Sequence, residues 1–330
     1  MSRAPDAGPA SWVFVHQSTA ALRMGGNDRQ DFLHRLSTND ILGLKAGAGC
    51  FTLLLNTRGR ILDLLHVMSM EDHLLIIASP GGGGKAKQHL EQYLFREAVS
   101  IEPADSLAGL GLYGPGAGPL LGQAAGGAWD GLPLCHHTLA AIAGEPVLVA
   151  RTWPLAGSGF LVLCPGERTQ AVLEALTACG ALAASSERME YLRVEALVPG
   201  WGTELSEDFN PWEISLDGAI SLTKGCYLGQ EVVARLHSYR KVQRRLVGLE
   251  IEAGSIPVSG SPLLRGSETV GLLTSVVGSQ EGRKGRGMAV LKSERCIPGE
   301  MLTAGAQDSE VACRVREALP PLASGLAEPV

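Results

Sequence analysis

Lys224-Gly225-Cys226-Tyr227-Leu228-Gly229-Gln230-Glu231-Val232-Val233-Ala234-Arg235 puts a lysine, a cysteine, a glutamine, a glutamate and an arginine into one short stretch, punctuated by two glycines. Gly225 and Gly229 suit backbone positions that a Cβ would crowd, at turns or close approaches. From Gly229 onward the pattern reads as a helix start: the acidic residue falls early, and Glu231 and Arg235 are spaced i,i+4. Cys226 then lies just ahead of a helix N-terminus with Lys224 nearby, and both features stabilise a thiolate. Two readings of that cysteine stand side by side. It is a reactive thiol, or it is one more small buried hydrophobe, as most free cysteines are.

The chain around this stretch has 330 residues, 45% of them hydrophobic, enough for a packed core and for two or three domains. A formal net charge of −6 gives no chain-wide basic field, so direct nucleic-acid binding is not expected. Seven cysteines, odd in number and without a C-x-x-C pair, argue against a disulfide framework and a zinc ribbon. They favour a reducing compartment, and the expectation is a cytoplasmic protein. Residues 1–10 are rich in Ala, Pro and Gly without an apolar run, unlike a secretory signal. The apolar stretches around 61–68 and 74–78 are too short to span a bilayer, so no membrane partner is expected. Residues 1–10 and about 317–330 read as poorly ordered tails.

Pattern places a strand at 12–15 and a helix over 28–36, with Phe32, Leu33 and Leu36 on one face and Asp28 as its N-cap. Residues 50–55 and 61–70 read as strands joined by the turn Asn56-Thr57-Arg58-Gly59-Arg60, followed by a strand at 74–78. Gly81-Gly82-Gly83-Gly84-Lys85 fails as a phosphate loop, because Ser79 and Ala86 occupy the positions of its first glycine and its Ser/Thr. It reads instead as a loop into a helix over 85–95. Strand-like pieces follow over 101–113, then a small helix entered from Gly114-Pro115-Gly116-Ala117 and a Gly/Ala-rich connector over 122–131. Cys135-His136-His137 suggests a metal, but no second ligand cluster accompanies it. Strands at 147–151 and 160–164 precede an amphipathic helix over 170–178, and 189–196 fits helix or strand equally. After the basic connector Arg240–Arg245, short apolar runs broken by Gly, Pro and Ser predict a small all-β barrel or sandwich, with a boundary near 238–244.

Six motifs in order resemble those of the YgfZ-type folate-binding proteins, relatives of the glycine-cleavage T-protein. They are Phe32-Leu33-His34-Arg35-Leu36-Ser37-Thr38-Asn39-Asp40; Leu53-Leu54-Leu55-Asn56-Thr57-Arg58-Gly59-Arg60-Ile61; Gly114-Pro115 with Ala117; Leu192-Arg193-Val194-Glu195-Ala196; the opening stretch; and Val270-Gly271-Leu272-Leu273-Thr274-Ser275. The resemblance implies an α+β fold, a three-module ring around a folate pocket with a C-terminal β-barrel module. The modules would be 1–47 with 140–238, an inserted 48–139, and 239–330. It also implies a cofactor, tetrahydrofolate or a derivative. Glu195 would meet the pterin, with Arg193, Tyr227, Gln230, Glu231 and Trp201 in the folate-contacting set. Arg235 or the basic connector would meet the anionic glutamate tail, and Trp212 joins Trp201 and Tyr227 as a candidate wall.

Two departures separate the chain from the T-protein. That relative carries paired aspartates after the hairpin, where this chain has Ile61-Leu62-Asp63-Leu64-Leu65 with one carboxylate. It also lacks the Lys-Gly-Cys element. Both features point to the YgfZ branch, which implies an accessory role in iron–sulfur cluster assembly or repair, with indirect effects on tRNA modification. Cys226, Lys224 and Asp63 are then the candidate reactive groups, with iron–sulfur enzymes or assembly proteins as partners. One cysteine cannot hold a cluster alone, since ordinary clusters take four ligands. The alternative is a folate-dependent aminomethyltransferase or other one-carbon transferase with Asp63 as acid/base, and a third reading is a scaffold without ligand.

Overall fold

The computed structural model describes residues 11–16, 20–155, 157–238, 242–252, 256–278, 284–305 and 310–318. The expected tails at both ends lie almost wholly outside these residues, as does part of the basic connector. Contacts divide the chain into two compact units, residues 1–32, 41–51 and 65–189 in one and residues 33–40, 52–64 and 190–330 in the other. No described helix is long and apolar enough to cross a membrane.

In the first unit a six-stranded sheet runs in the order Leu182–Ala183, Trp12–Val15, Leu107–Tyr113, Ser158–Pro165, Glu145–Leu155, His137–Ile142. Alternate residues of Ser158–Pro165 serve two different cores, because successive side chains of a strand point to opposite faces. Phe160, Val162 and Cys164 pack with Leu121, Val172 and Leu176 of the helices Ala117–Ala125 and Thr169–Ala178. Leu161 and Leu163 pack on the other face with Ala21, Met68 and Leu75. Burial on both faces is why this strand reads as an unbroken apolar run rather than an alternation. Of a second sheet, the strands Leu74–Ile77, Ala21–Gly25 and Ser100–Pro103 lie in this unit as consecutive antiparallel neighbours.

The second unit contains a closed barrel of six strands. Their order is Arg244–Ile251, Gly285–Lys292, Glu268–Val277, Pro262–Arg265, Met301–Ala304, Val311–Ala318, with the first and last also paired. Val247, Leu249 and Ile251 line its interior with Leu263, Leu273, Ala289 and Leu291. Closure leaves no unpaired strand edge, so the predicted all-β segment is a barrel and not a sandwich.

Local differences from the sequence reading have physical causes. The helix expected over 85–95 is Gly83–Glu91. It tightens into i→i−3 bonds, Tyr93 N–H to Leu90 O and Leu94 N–H to Glu91 O, and the Glu97 carboxylate accepts from Phe95 and Arg96 N–H. The connector expected over 122–131 begins late, because the preceding helix continues to Ala125 before Gly126 and Gly127 turn it at φ +75° and +78°. Strands Ala21–Gly25 and His137–Ile142 were not expected. The ambiguous 189–196 segment is part of the helix Ser186–Glu195, whose Tyr191, Leu192 and Val194 are all buried. Apolar residues that close together leave no single-face periodicity to read.

Candidate functional site

Within the second unit the opening stretch of the sequence is laid along the end of the helix Arg29–Leu36 and the segment after it. The Lys224 ammonium donates to the carbonyls of His34 at 2.5 Å, Ser37 at 2.7 Å and Asn39 at 2.7 Å. On either side, Ser221 N–H donates to Thr38 O at 3.0 Å and Leu228 N–H to Arg35 O at 3.2 Å. Thr38 Oγ1 donates to Ala219 O at 2.6 Å. Cys226 stands exposed between these anchors, and Tyr227 next to it is buried, with the Lys224 ammonium 5.2 Å from its ring centre. Burial pushes the Tyr227 hydroxyl up to about 12, so it stays protonated and neutral. The buried-hydrophobe reading of Cys226 is therefore excluded by its exposure.

The two glycines of the stretch differ. Gly229 adopts φ +82°, and a Cβ there would lie 2.8 Å from Asn56 O. Gly225 has open space around its Cβ position and no left-handed φ, so the expected crowding holds for Gly229 alone. The helix that follows, Gln230–Ser238, packs through Val232 on Gly59, itself at φ +68°. Asn56 shapes that hairpin by accepting the N–H groups of Arg58 and Arg60 on its Oδ1. Hairpin and helix together form an open cleft of about 920 Å³ lined by Thr57, Arg58, Arg60, Glu207, Asp208, Val232 and Arg235. Arg60 and Arg244 share the Glu213 carboxylate at 3.6 and 2.7 Å. Arg235 is exposed, with no ion-pair partner among the described residues. Gln230 opens the helix and Glu231 points to solvent.

Asp63 is buried at 1% exposure on the strand Ile61–Ser69, with Oδ1 accepting Leu64 N–H at 2.8 Å. Glu195 and Arg193 are held against the barrel. Glu195 accepts from Arg286 Nε and from Arg316 Nη1 and Nη2 at 3.0 and 3.3 Å. Arg193 donates to Glu190, to Val198 O, to Ser275 Oγ at 2.8 Å and to Glu204 at 3.3 Å. Burial pushes the Arg193 guanidinium down, but the hydrogen bond and charge of Glu190 and the charge of Glu204 outweigh it and the net direction is up. Glu204, fully buried, also accepts from Gly200 N–H, Thr203 Oγ1 and Ser275 Oγ. Trp201 is half-buried and forms an isolated bridge with Leu205, and Trp212 donates its indole N–H to Val233 O.

The structure thus brings Lys224, Cys226 and Tyr227 into one arch, Arg235 to the hairpin arginines, and Arg193 and Glu195 into an ionic lattice on the barrel. Sequence reasoning missed Glu204, Arg286 and Arg316. Only Ser275 carried a signal, as the last residue of the sixth motif. The Cys135-His136-His137 run lies in the first unit, where burial raises the Cys135 thiol and lowers the His137 imidazole. Among the described residues no three His, Cys, Asp or Glu side chains are grouped to hold a metal ion.

Residues 12–224 match the GCVT N-terminal domain and residues 244–322 the glycine cleavage T-protein C-terminal barrel domain. A chloroplastic protein of Arabidopsis thaliana, named only provisionally as a transferase, is 31% identical over 89% of this chain and 68% of its own length. An aminomethyltransferase of Bacillus pumilus is 28% identical over 84% of this chain and 78% of its own. In structure, the glycine cleavage system aminomethyltransferase T of Bartonella henselae superposes with a TM-score of 0.80 at 20% identity, covering 93% of this chain and 85% of that one. With family models matching both the mixed helix–sheet portion and the closed barrel, the chain belongs to the glycine-cleavage T-protein family.

Proposed function

We propose that the chain is a tetrahydrofolate-binding accessory protein of the YgfZ type, supporting iron–sulfur cluster assembly or repair, with Cys226 as its working thiol. The observation that carries this reading is the exposed Cys226 on an anchored arch, in a chain whose strand Ile61–Ser69 carries one buried carboxylate, Asp63, where the T-protein has two. A thiol facing solvent is accessible to a partner protein, and a reducing cytoplasm keeps it free. In the cleft, where Arg58 faces Glu207 and Arg60 faces Glu213, the exposed Arg235 is the guanidinium that suits a carboxylate of the anionic glutamyl tail of folate, since such groups pair in bidentate fashion. The pterin end fits less directly. Both Glu195 oxygens already accept from Arg286 and Arg316, so a pterin taken by Glu195 must share it with them or displace one. Bound tetrahydrofolate would supply one-carbon carriage, and the chain's own part is to hold it and to present the thiol.

Two measurements test this. Tetrahydrofolate titrated against tryptophan fluorescence should give saturable quenching, and a flat titration to millimolar ligand removes the folate. A Cys226→Ala variant should bind folate as the parent does yet fail to restore iron–sulfur enzyme activity in cells lacking the protein. Restoration by that variant sinks the thiol's role. The second reading, aminomethyl transfer, draws on the relatives named aminomethyltransferase and on Asp63. Turnover of an aminomethyl-lipoyl carrier protein that disappears in Asp63→Asn would favour it.

A further inference from the structure

Three short hydrogen bonds consume every donor of the Lys224 ammonium. Their acceptors, the carbonyls of His34, Ser37 and Asn39, lie at and just beyond the C-terminal end of Arg29–Leu36, where helical carbonyls lack partners and the backbone dipole favours a cation. The amine that the motif places two residues from Cys226 is therefore spent on backbone. Lys224 N–H is itself held by Ser221 Oγ at 3.2 Å, and the side chains of Thr38 and Asn39 reach back to Ala219 O and Gly218 O. The segments 34–39 and 218–228 are stitched along their length. Between Lys224 and Leu228 only Gly225 and Cys226 are left exposed.

We infer that Lys224 is a positioning residue: its ammonium clamps the arch 224–228 onto the segment 34–39 and so fixes where the Cys226 thiol stands, without entering the chemistry as an amine. This rests on the functional reading above only in treating Cys226 as the working thiol.

Competitive acylation of the whole native protein, read by mass spectrometry, tests the clamp without any variant. A free catalytic amine is the most readily acylated lysine, whereas Lys224 should react about tenfold or more slowly than exposed lysines such as Lys284. Acylation of Lys224 at the rate of those lysines overturns the inference. Positioning is tested by a nitroxide on Cys226 in a Cys179→Ser, Cys296→Ser background. The spectrum should be dominated by an immobilised component that becomes mostly mobile in Lys224→Met, while amide exchange of Ser221 and Leu228 accelerates about tenfold or more and the barrel amides do not change. An unchanged line shape, or unchanged exchange at those two amides, overturns it as well. Cys226→Ala should abolish cellular function yet leave Lys224 protected from acylation. Loss of the functional reading is thereby told apart from loss of the clamp.

Discussion

Glu204 shows what residue chemistry decides that motif reading does not. The flanking sequence gives it no distinction, yet it is fully buried and gathers Arg193, Thr203, Ser275 and Gly200 N–H on its two oxygens. Removing one partner from such a buried ionic group leaves the others uncompensated, so Glu204→Gln should cost about 3 kcal/mol. A fall in the urea midpoint with unchanged m-value would show it, and a midpoint equal to the parent's would refute it. His66 makes the corresponding pH argument in the first unit. It is buried with neither ring nitrogen hydrogen-bonded among the described residues, it leans on Phe51, and desolvation pushes it down from 6.5 to about 4. A backbone group of Cys135 pulls the other way and the neighbouring His137 adds to the lowering. The folded state refuses a proton that the unfolded chain accepts below 6.5. Stability contributed by neutral His66 is thus complete above pH 6.5 and is lost as pH falls towards about 4, by about 3 kcal/mol in total. In His66→Leu the dependence of the denaturation midpoint on pH should flatten across that window, and an unaltered slope would assign the acid sensitivity to other groups.

At the scale of elements, the hairpin Asn56–Arg60 and the helix Gln230–Ser238 form one device through two glycines in left-handed conformation. Gly229→Ala forces an L side chain to φ +82° and a Cβ to within 2.8 Å of Asn56 O, which should cost about 1–3 kcal/mol and disorder the cleft arginines. Gly225→Ala meets nothing and should lie within about 0.5 kcal/mol of the parent. Thermal denaturation of the pair decides the matter, since equal losses would contradict this assignment of the two glycines. The sequence showed the turn, the helix start and the presence of both glycines, because those follow from local backbone chemistry. It could not show which glycine was needed. That depends on Asn56, which is far away along the chain. The same limit explains Lys224, whose three acceptors lie some 190 residues before it: proximity to Cys226 suggested a chemical role, and the clamp is invisible without the fold.

For the whole molecule, the barrel was readable because each strand carries its own period-two pattern and its own turn residues, whereas the grouping of residues 33–40 and 52–64 with 190–330 leaves no local mark. Barrel register adds a constraint that tests the fold directly. Along Glu268–Val277 the pairing with Gly285–Lys292 slips between Leu273 and Ser275, which places an extra residue at Thr274. Before the slip Leu273 faces the barrel interior, and after it Val276 does, so Ser275 is freed to face Glu204 and Arg193. A regular strand would have sent Ser275 inward with Leu273, since side chains two apart share a face. Leu272 and Leu273 are identical in chemistry and adjacent in sequence, but Leu272 is 37% exposed and Leu273 fully buried. Leu273→Ala should therefore cost about 3 kcal/mol through the cavity it leaves, and Leu272→Ala less than about 1 kcal/mol. Reversal of that order in urea denaturation would mean that the strand is shifted by one residue and that Ser275 does not reach the Arg193–Glu204 pair, because a one-residue slip moves every side chain to the opposite face.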